Sequence, residues 1–184
     1  LTSRERATIL VSIANVAATV ARNKGTVELY QMAAQNYRAG LETMTREVAP
    51  LEWGMIQRNL GMVLQVLAER TEDAEILGNS ADCYREALKV LTKAQFPRPW
   101  AAIQNRLGMV LYKIDRKTGD TELVKHALGA FQAALQVYTR ADLPMRWAEV
   151  MNNFGQVAQV LGGQLHNAEV LRRRPKPAAA RSRS

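Results

Sequence analysis

The chain has 184 residues, 47% of them hydrophobic, which is enough for one ordinary globular domain with its own core. A single cysteine, Cys83, excludes an internal disulfide framework, and its helical surroundings favour a small buried thiol over a reactive one. Six of the 25 basic residues lie in residues 172–184, so the rest of the chain, with 19 basic and 17 acidic residues, is close to neutral despite the net charge of +8.

Helical patterns begin at the first residues and continue along almost the whole chain. Thr2 or Ser3, followed by Glu5, has the form of a capping box, and apolar residues then recur at intervals of three and four. Gly25 ends this helix, and Thr26 is a good N-cap for the next. The predicted helices span residues 3–22, 27–47, 51–70, 73–94, 98–116, 120–141 and 145–161.

Three sets of residues recur with a fixed spacing of 47 positions. A period of this size is typical of stacked units, each too small to bury its own apolar face. Each unit contains a helix A followed by a helix B, and short connections force neighbouring helices to lie antiparallel. We therefore predict an all-α fold, a right-handed α-solenoid of helix pairs with about seven helices. The recurring residues are Pro50, Pro97 and Pro144; Trp53, Trp100 and Trp147; and Gly61, Gly108 and Gly155.

The predicted units cover residues 3–49, 50–96, 97–143 and 144–171, and the fourth is incomplete. Gly162 and Gly163 are interpreted as a helix stop, and Asn167 as the N-cap of a further helix B that does not continue. Residues 172–184 are low in complexity and basic, which is typical of a disordered tail. A stop inside a unit and a first residue that is Leu1 indicate a truncated or processed chain.

Helix residues near these glycines resemble the tetratricopeptide repeat (TPR) family. Leu107 and Gly108 correspond to the Leu-Gly of its helix A, and Ala127, Phe131 and Ala134 to the small and aromatic residues of its helix B. The family period is 34 residues, so the likeness is to a long-helix variant of the kind found in arrays of bacterial regulatory and signalling proteins. The resemblance implies a non-catalytic scaffold that binds a peptide or a partner domain on its concave face.

In that family helix A lines the concave face, and this assigns the candidate binding residues. Arg58, Asn105 and Asn152 share one position in successive units, and a row of amides with a cation can hydrogen-bond an extended peptide. Methionines on the same face offer adaptable apolar contacts. A merely solvated polar face is the alternative interpretation. The candidate partner-binding residues are Met55, Arg58, Met62, Gln65, Asn105, Met109, Tyr112, Asn152 and Gln156.

The sequence contains few residues that could form a catalytic or metal-binding site. His126 and His166 lie in different units without a Cys or carboxylate at metal-ligand spacing, so neither a metal site nor a cofactor is expected. No glycine-rich phosphate loop occurs, and no nucleophile is placed beside a base. We therefore expect a protein that is not an enzyme.

Two other roles remain open beside the scaffold. The apolar flank of the unfinished fourth unit favours self-association through solenoid ends, or a structural or regulatory segment of a larger signalling protein. Nucleic-acid binding is disfavoured because it rests on the basic tail alone, which has no aromatic residue for base stacking. No run of eighteen apolar residues occurs, so we expect no transmembrane helix and no membrane partner. A cytoplasmic location is a separate expectation.

Overall fold

The computed structural model describes residues 1–173, and the backbone there contains seven α-helices and no strand. Helices A and B alternate as the 47-residue period predicts. The predicted tail falls largely on residues 174–184, which lie outside the described residues. The helices are α1 (Ser3–Lys24), α2 (Val27–Leu41), α3 (Pro50–Thr71), α4 (Ala74–Leu88), α5 (Pro97–Thr118), α6 (Thr121–Leu135) and α7 (Pro144–Arg173).

Helix starts follow the capping residues of the sequence. Thr2 and Glu5 form the reciprocal capping box that was predicted, with the Thr2 amide donating to Glu5 Oε2 at 2.7 Å. Asp73 caps α4 by accepting hydrogen bonds from two backbone amides, and Asp120 caps α6 by accepting one. Thr26 stands at the N-cap of α2 in extended conformation, but its side chain makes no capping hydrogen bond. The predicted N-cap residues of α1, α2, α4 and α6 therefore all stand at the N-cap positions, and of these only Thr26 makes no capping hydrogen bond with its side chain.

Two-residue turns join helix A to helix B in each complete unit. The first turn residue is left-handed in all three, with φ of 73° at Gly25, 55° at Glu72 and 71° at Gly119. Glycine adopts this conformation without steric cost, and it is the usual residue just beyond a helix end. So short a turn brings the two helices of a unit side by side and antiparallel.

The B helices are shorter than predicted, because each ends at residue 41, 88 or 135 after 15 residues. A pair of tight turns follows, and the second begins at the recurring Thr45, Thr92 and Thr139. The Thr139 hydroxyl accepts a hydrogen bond from the Asp142 amide at 3.1 Å, and the carbonyl of each threonine accepts one from the residue four positions on. A threonine side chain can satisfy backbone donors in this way where a helix is no longer present. The next helix A then starts with proline, at the position where its missing N–H is not needed.

Every helix B lies between two A helices: α2 packs on α1 and α3, α4 on α3 and α5, and α6 on α5 and α7. Tyr37, Tyr84 and Phe131, the recurring aromatic residues of helix B, are among the largest fully or almost fully buried side chains. Close approach of A and B within a unit depends on glycine, since a Cβ on Gly61 or Gly108 would meet the aromatic ring at 2.9 Å or 2.7 Å. The chain is therefore an all-α solenoid of antiparallel helix pairs.

The fourth unit departs from the prediction. Gly162 and Gly163 do not stop α7, which runs for 30 residues to Arg173, and no helix B starts at Asn167 within the described residues. In the 47-residue repeat the two glycines are equivalent to Asp115 and Arg116, which lie inside helix A. The residue equivalent to the turn residue Gly119 is His166. No helix among the described residues is long and apolar enough to cross a membrane.

Candidate functional site

A cleft of about 370 Å³ opens where helices of three successive units meet. Its walls come mainly from α1 and α3, with two tyrosines of α2 at the base and one side chain of α5 at the far edge. The cleft has lining residues from the A helices of all three units, α1, α3 and α5. The lining residues are Asn15, Ala18, Thr19, Arg22, Tyr30, Tyr37, Asn59, Met62, Val63, Val66 and Arg106.

A small hydrogen-bond network holds the base of this cleft. The buried Tyr37 hydroxyl donates to Asn15 Oδ1 at 2.6 Å, and Asn59 Nδ2 donates to the same oxygen at 3.3 Å. Burial raises the pKa of Tyr37, although Asn59 and the nearby Arg58 guanidinium act in the opposite direction. The phenol therefore stays protonated near neutral pH and keeps its role as donor.

Three arginines surround the cleft. Arg22 and Arg106 line it directly, and Arg58 flanks it by donating from Nε and Nη2 to Asn59 Oδ1 at 3.2 and 3.1 Å. Among the side chains that the structure describes, none of the three forms a salt bridge, and no acidic residue lines the cleft. The cleft therefore has a net positive charge and an apolar wall formed by Met62, Val63 and Val66.

The α3 members of the predicted binding row lie along one stripe of the helix, as their spacing requires. Met55 is exposed, Arg58 flanks the cleft and Met62 lines it. Gln65 is tied into the scaffold, because its Oε1 accepts from the Tyr84 hydroxyl at 3.1 Å and its Nε2 donates to Glu69 at 3.3 Å. Its side chain is therefore oriented before any ligand arrives.

The members on α5 and α7 differ in exposure. Met109 and Tyr112 are half-buried against the core, whereas Asn152 and Gln156 are exposed on α7. Asn105 was predicted to be exposed, but only 8% of it is accessible. Its Nδ2 donates to Glu149 Oε1 at 3.1 Å, and its Oδ1 accepts from Asn153 Nδ2 at 3.1 Å. The amide thus joins α5 to α7, which corrects the expectation that it faces solvent.

Replacing Asn105 with alanine is therefore expected to lower the free energy of unfolding by about 1 to 2 kcal/mol, because two part-buried hydrogen bonds between helices are lost. Chemical unfolding followed by circular dichroism measures this loss. Asn152→Ala is the matched control, since that side chain is exposed, and it should change stability by less than about 0.5 kcal/mol. Equal values for the two variants would contradict a structural role for Asn105.

Several cleft residues were not among the predicted binding residues. Arg106 directly follows Asn105, and it belongs to another recurring set, Asn59, Arg106 and Asn153, that is polar in three successive units. One position along a helix is a rotation of about 100°, so the two sets face different neighbours. The polar recurrence at 47 residues was a usable signal for Asn59 and Arg106. The recurring charged residues Arg22, Glu69 and Arg116 gave a signal of the same kind for Arg22.

Cys83 is half-buried beside the core formed by α1, α2 and α3. Burial raises the pKa of its thiol to about 11, with only a minor opposing effect from Arg38. The thiol is therefore almost wholly protonated at neutral pH, and a protonated thiol is a poor nucleophile.

No protein-family model matches the chain, and no curated protein matches it. Among solved structures, it is similar to the DHF58 filament, with 17% identity over 88% of this chain and 85% of that one and a TM-score of 0.44. The DHF79 filament gives 19% identity over 95% and 92% of the two chains, with a TM-score of 0.40. The de novo designed helical repeat protein DHR64 gives 16% identity over 94% and 98%, with a TM-score of 0.39.

Proposed function

We propose that the chain is a non-catalytic interaction scaffold, a TPR-like solenoid of the long-helix type, that binds an acidic peptide segment of a partner protein in the α1–α3–α5 cleft. The observation that carries the proposal is the group of three arginines, Arg22, Arg58 and Arg106, beside a cleft without acidic residues. Guanidinium groups without a salt bridge are suited to carboxylates because they can form two parallel hydrogen bonds. A cytoplasmic location stays a prediction.

The rest of the cleft suits the peptide that would carry those carboxylates. Met62, Val63 and Val66 provide an apolar wall for one or two side chains. Asn59 and Thr19 are polar side chains within the same cleft and can hydrogen-bond a peptide backbone. The Tyr37–Asn15 hydrogen bond holds the base in place, which reduces the entropy lost on binding.

A selection of random peptides displayed on phage against residues 1–173 tests this proposal. Selected peptides should be enriched in Asp and Glu, and their affinity, measured by fluorescence anisotropy at low salt, should fall at least about tenfold for Arg58→Glu/Arg106→Glu. Arg140→Glu, at an exposed position over Trp147, is the control outside the cleft, and Arg58→Glu and Arg106→Glu are also made one at a time so that each makes the same charge change as the control.

Two results would contradict the proposal. One is a selected set without acidic residues, since the arginines would then have no ligand. The other is equal loss of affinity in the cleft variant and in Arg140→Glu, which would indicate a nonspecific effect of net charge.

Self-association through a solenoid end is the second candidate function. It is favoured by α7, where Gly155 has no atom within 4 Å of a Cβ position, whereas the equivalent Gly61 and Gly108 face an aromatic ring of their own helix B. Met151 and Leu165 are exposed on the same helix, by 39% and 54%. Light scattering separates the two functions, because a strict monomer at high concentration would count against pairing of ends.

A further inference from the structure

The hydrogen bonds inside the α1–α3–α5 cleft use up its amide oxygens and leave donors for a ligand. Asn15 Oδ1 accepts two hydrogen bonds, from the Tyr37 hydroxyl and from Asn59 Nδ2. Asn59 Oδ1 also accepts two, both from the Arg58 guanidinium. An amide oxygen has two lone pairs, so neither oxygen can accept a further hydrogen bond. The arginines of the cleft keep further N–H groups, which can only donate.

The charge of Arg22 has no counter-charge because the repeat varies at one contact between units. Between α3 and α5 this contact is the salt bridge of Glu69 with Lys113. The residues 47 positions earlier are Arg22 and Val66, and both line the cleft. Arg22 therefore lies beside an apolar residue at the place where Glu69 pairs with a cation. The positive charge of the cleft is thus a feature of this one contact and is not repeated between the next two units.

The other two arginines are oriented before any ligand binds. Arg58 is held by its two hydrogen bonds to Asn59. Burial raises the pKa of Tyr84, and the Arg106 guanidinium acts in the opposite direction, which places this cation beside the Tyr84 hydroxyl. That hydroxyl is fixed by its hydrogen bond to Gln65 Oε1 at 3.1 Å. Both arginines are half-buried, so water screens their attraction for an anion less than at an exposed site.

A ligand group that only accepts hydrogen bonds and carries more than one negative charge fits this cleft best. A carboxylate carries one charge, so it would leave two of the three guanidinium charges without a counter-charge. A phosphate monoester has three strong acceptor oxygens and a charge of about −1.5 to −2 at neutral pH. Several carboxylates could supply the same charge, but they would repel one another within a cleft of about 370 Å³.

We propose that Arg22, Arg58 and Arg106 bind the phosphate of a phosphorylated side chain in the partner's peptide. This inference rests on the proposed function of the cleft, and it adds that phosphorylation of the partner controls binding. Arginine is suited to this role because its N–H groups can form two parallel hydrogen bonds to one phosphate.

The remaining lining residues suit the peptide around the phosphate rather than a free phosphate ion. The Thr19 hydroxyl donates to the Asn15 carbonyl at 2.8 Å, so its oxygen can only accept, as a backbone N–H of a peptide requires. Met62 and Val66 provide apolar contacts for a neighbouring side chain. A free phosphate ion would use neither feature.

An array of peptides, probed with the full chain, tests the inference. Each peptide sequence is made in three forms that are identical except for a central phosphoserine, glutamate or serine. The sequence that binds most tightly in any form is then measured in all three by fluorescence anisotropy. The phosphoserine form should bind at least about tenfold more tightly than the glutamate form, because it can form more charge-assisted hydrogen bonds, and the serine form should bind most weakly.

Arg22→Gln and Arg106→Gln should each weaken binding of the phosphoserine form by at least about tenfold and weaken binding of the glutamate form less. Arg22 is exposed, so its variant should remain folded. Arg140→Gln removes the same charge at an exposed position outside the cleft, and its affinity should stay within about twofold of the unmodified chain. The basic residues 172–184 are present in every variant, so their attraction for anions is the same in each comparison.

Three outcomes would overturn the inference. The first is equal affinity for the phosphoserine and glutamate forms, which would leave the proposed function of the cleft intact. The second is binding of the phosphoserine form that Arg140→Gln weakens as much as Arg22→Gln does, since the attraction would then be nonspecific. The third is displacement of the peptide by inorganic phosphate at a concentration equal to the peptide's Kd, because the bare anion would then be the ligand. Binding of none of the three forms would overturn the proposed function as well.

Discussion

Replacing Phe131 with alanine is expected to lower the free energy of unfolding by about 3 to 5 kcal/mol. The ring is completely buried in the cluster shared by α4, α5, α6 and α7. It lies directly over Gly108, where even a Cβ would approach it to 2.7 Å. Glycine has no side chain that can move into the space, so the cavity left by the ring would stay largely open.

Chemical unfolding followed by circular dichroism measures this effect. Gln132→Ala, at the next position of the same helix, is the matched control because its side chain is exposed, and it should change stability by less than about 0.5 kcal/mol. A loss for Phe131→Ala that does not exceed the control would mean that the units tolerate the missing ring, and that the packing of α5 on α6 does not depend on it.

Much of the fold could be predicted from the sequence because the packing of one unit recurs in the next. Proline is tolerated at the start of helix A because its missing N–H is not needed there. The small residue at the centre of helix A makes room for the buried aromatic ring of helix B. The spacing of 47 shows that the same requirements are met again in the same order. Seven helices were predicted, and seven are present among the described residues.

The ends of the B helices could not be predicted from periodicity. Met44, Leu91 and Tyr138 lie beyond the helix ends and are nevertheless buried, so the apolar spacing continues through the turns. The prediction for the fourth unit was wrong for a related reason. Two adjacent glycines usually end a helix, but these fall one turn before the position at which helix A ends in the other units.

The candidate site was predictable only in outline. The row from Met55 to Gln65 follows from the geometry of one helix. The cleft, however, combines Arg22 of the first unit with Arg106 of the third, and their proximity depends on how the units stack. Asn105 and Arg106 are both polar and adjacent in sequence, yet one joins two helices and the other lines the cleft. Polarity alone does not indicate which side of a helix meets a neighbour.

Replacing Gly108 with leucine is expected to lower the free energy of unfolding by about 2 to 3 kcal/mol. A Cβ at this position would lie 2.7, 2.9 and 3.0 Å from three atoms of the Phe131 ring, and that ring is enclosed by the core and cannot rotate away. Leucine forms helix better than glycine by somewhat less than about 1 kcal/mol, which offsets only part of the cost of overpacking.

Gly155→Leu is the matched control, because Gly155 holds the same position in the next unit but has nothing within 4 Å of a Cβ. There only the gain in helix propensity should remain, so the variant should be more stable by up to about 1 kcal/mol. Opposite signs in chemical unfolding, measured well below any concentration at which the chain associates, would confirm that close contact with helix B alone imposes the glycine. If Gly155→Leu were destabilised as well, and the loss grew with protein concentration, the flank of α7 would be covered in solution by another molecule, and leucine at position 155 would be interfering with that contact.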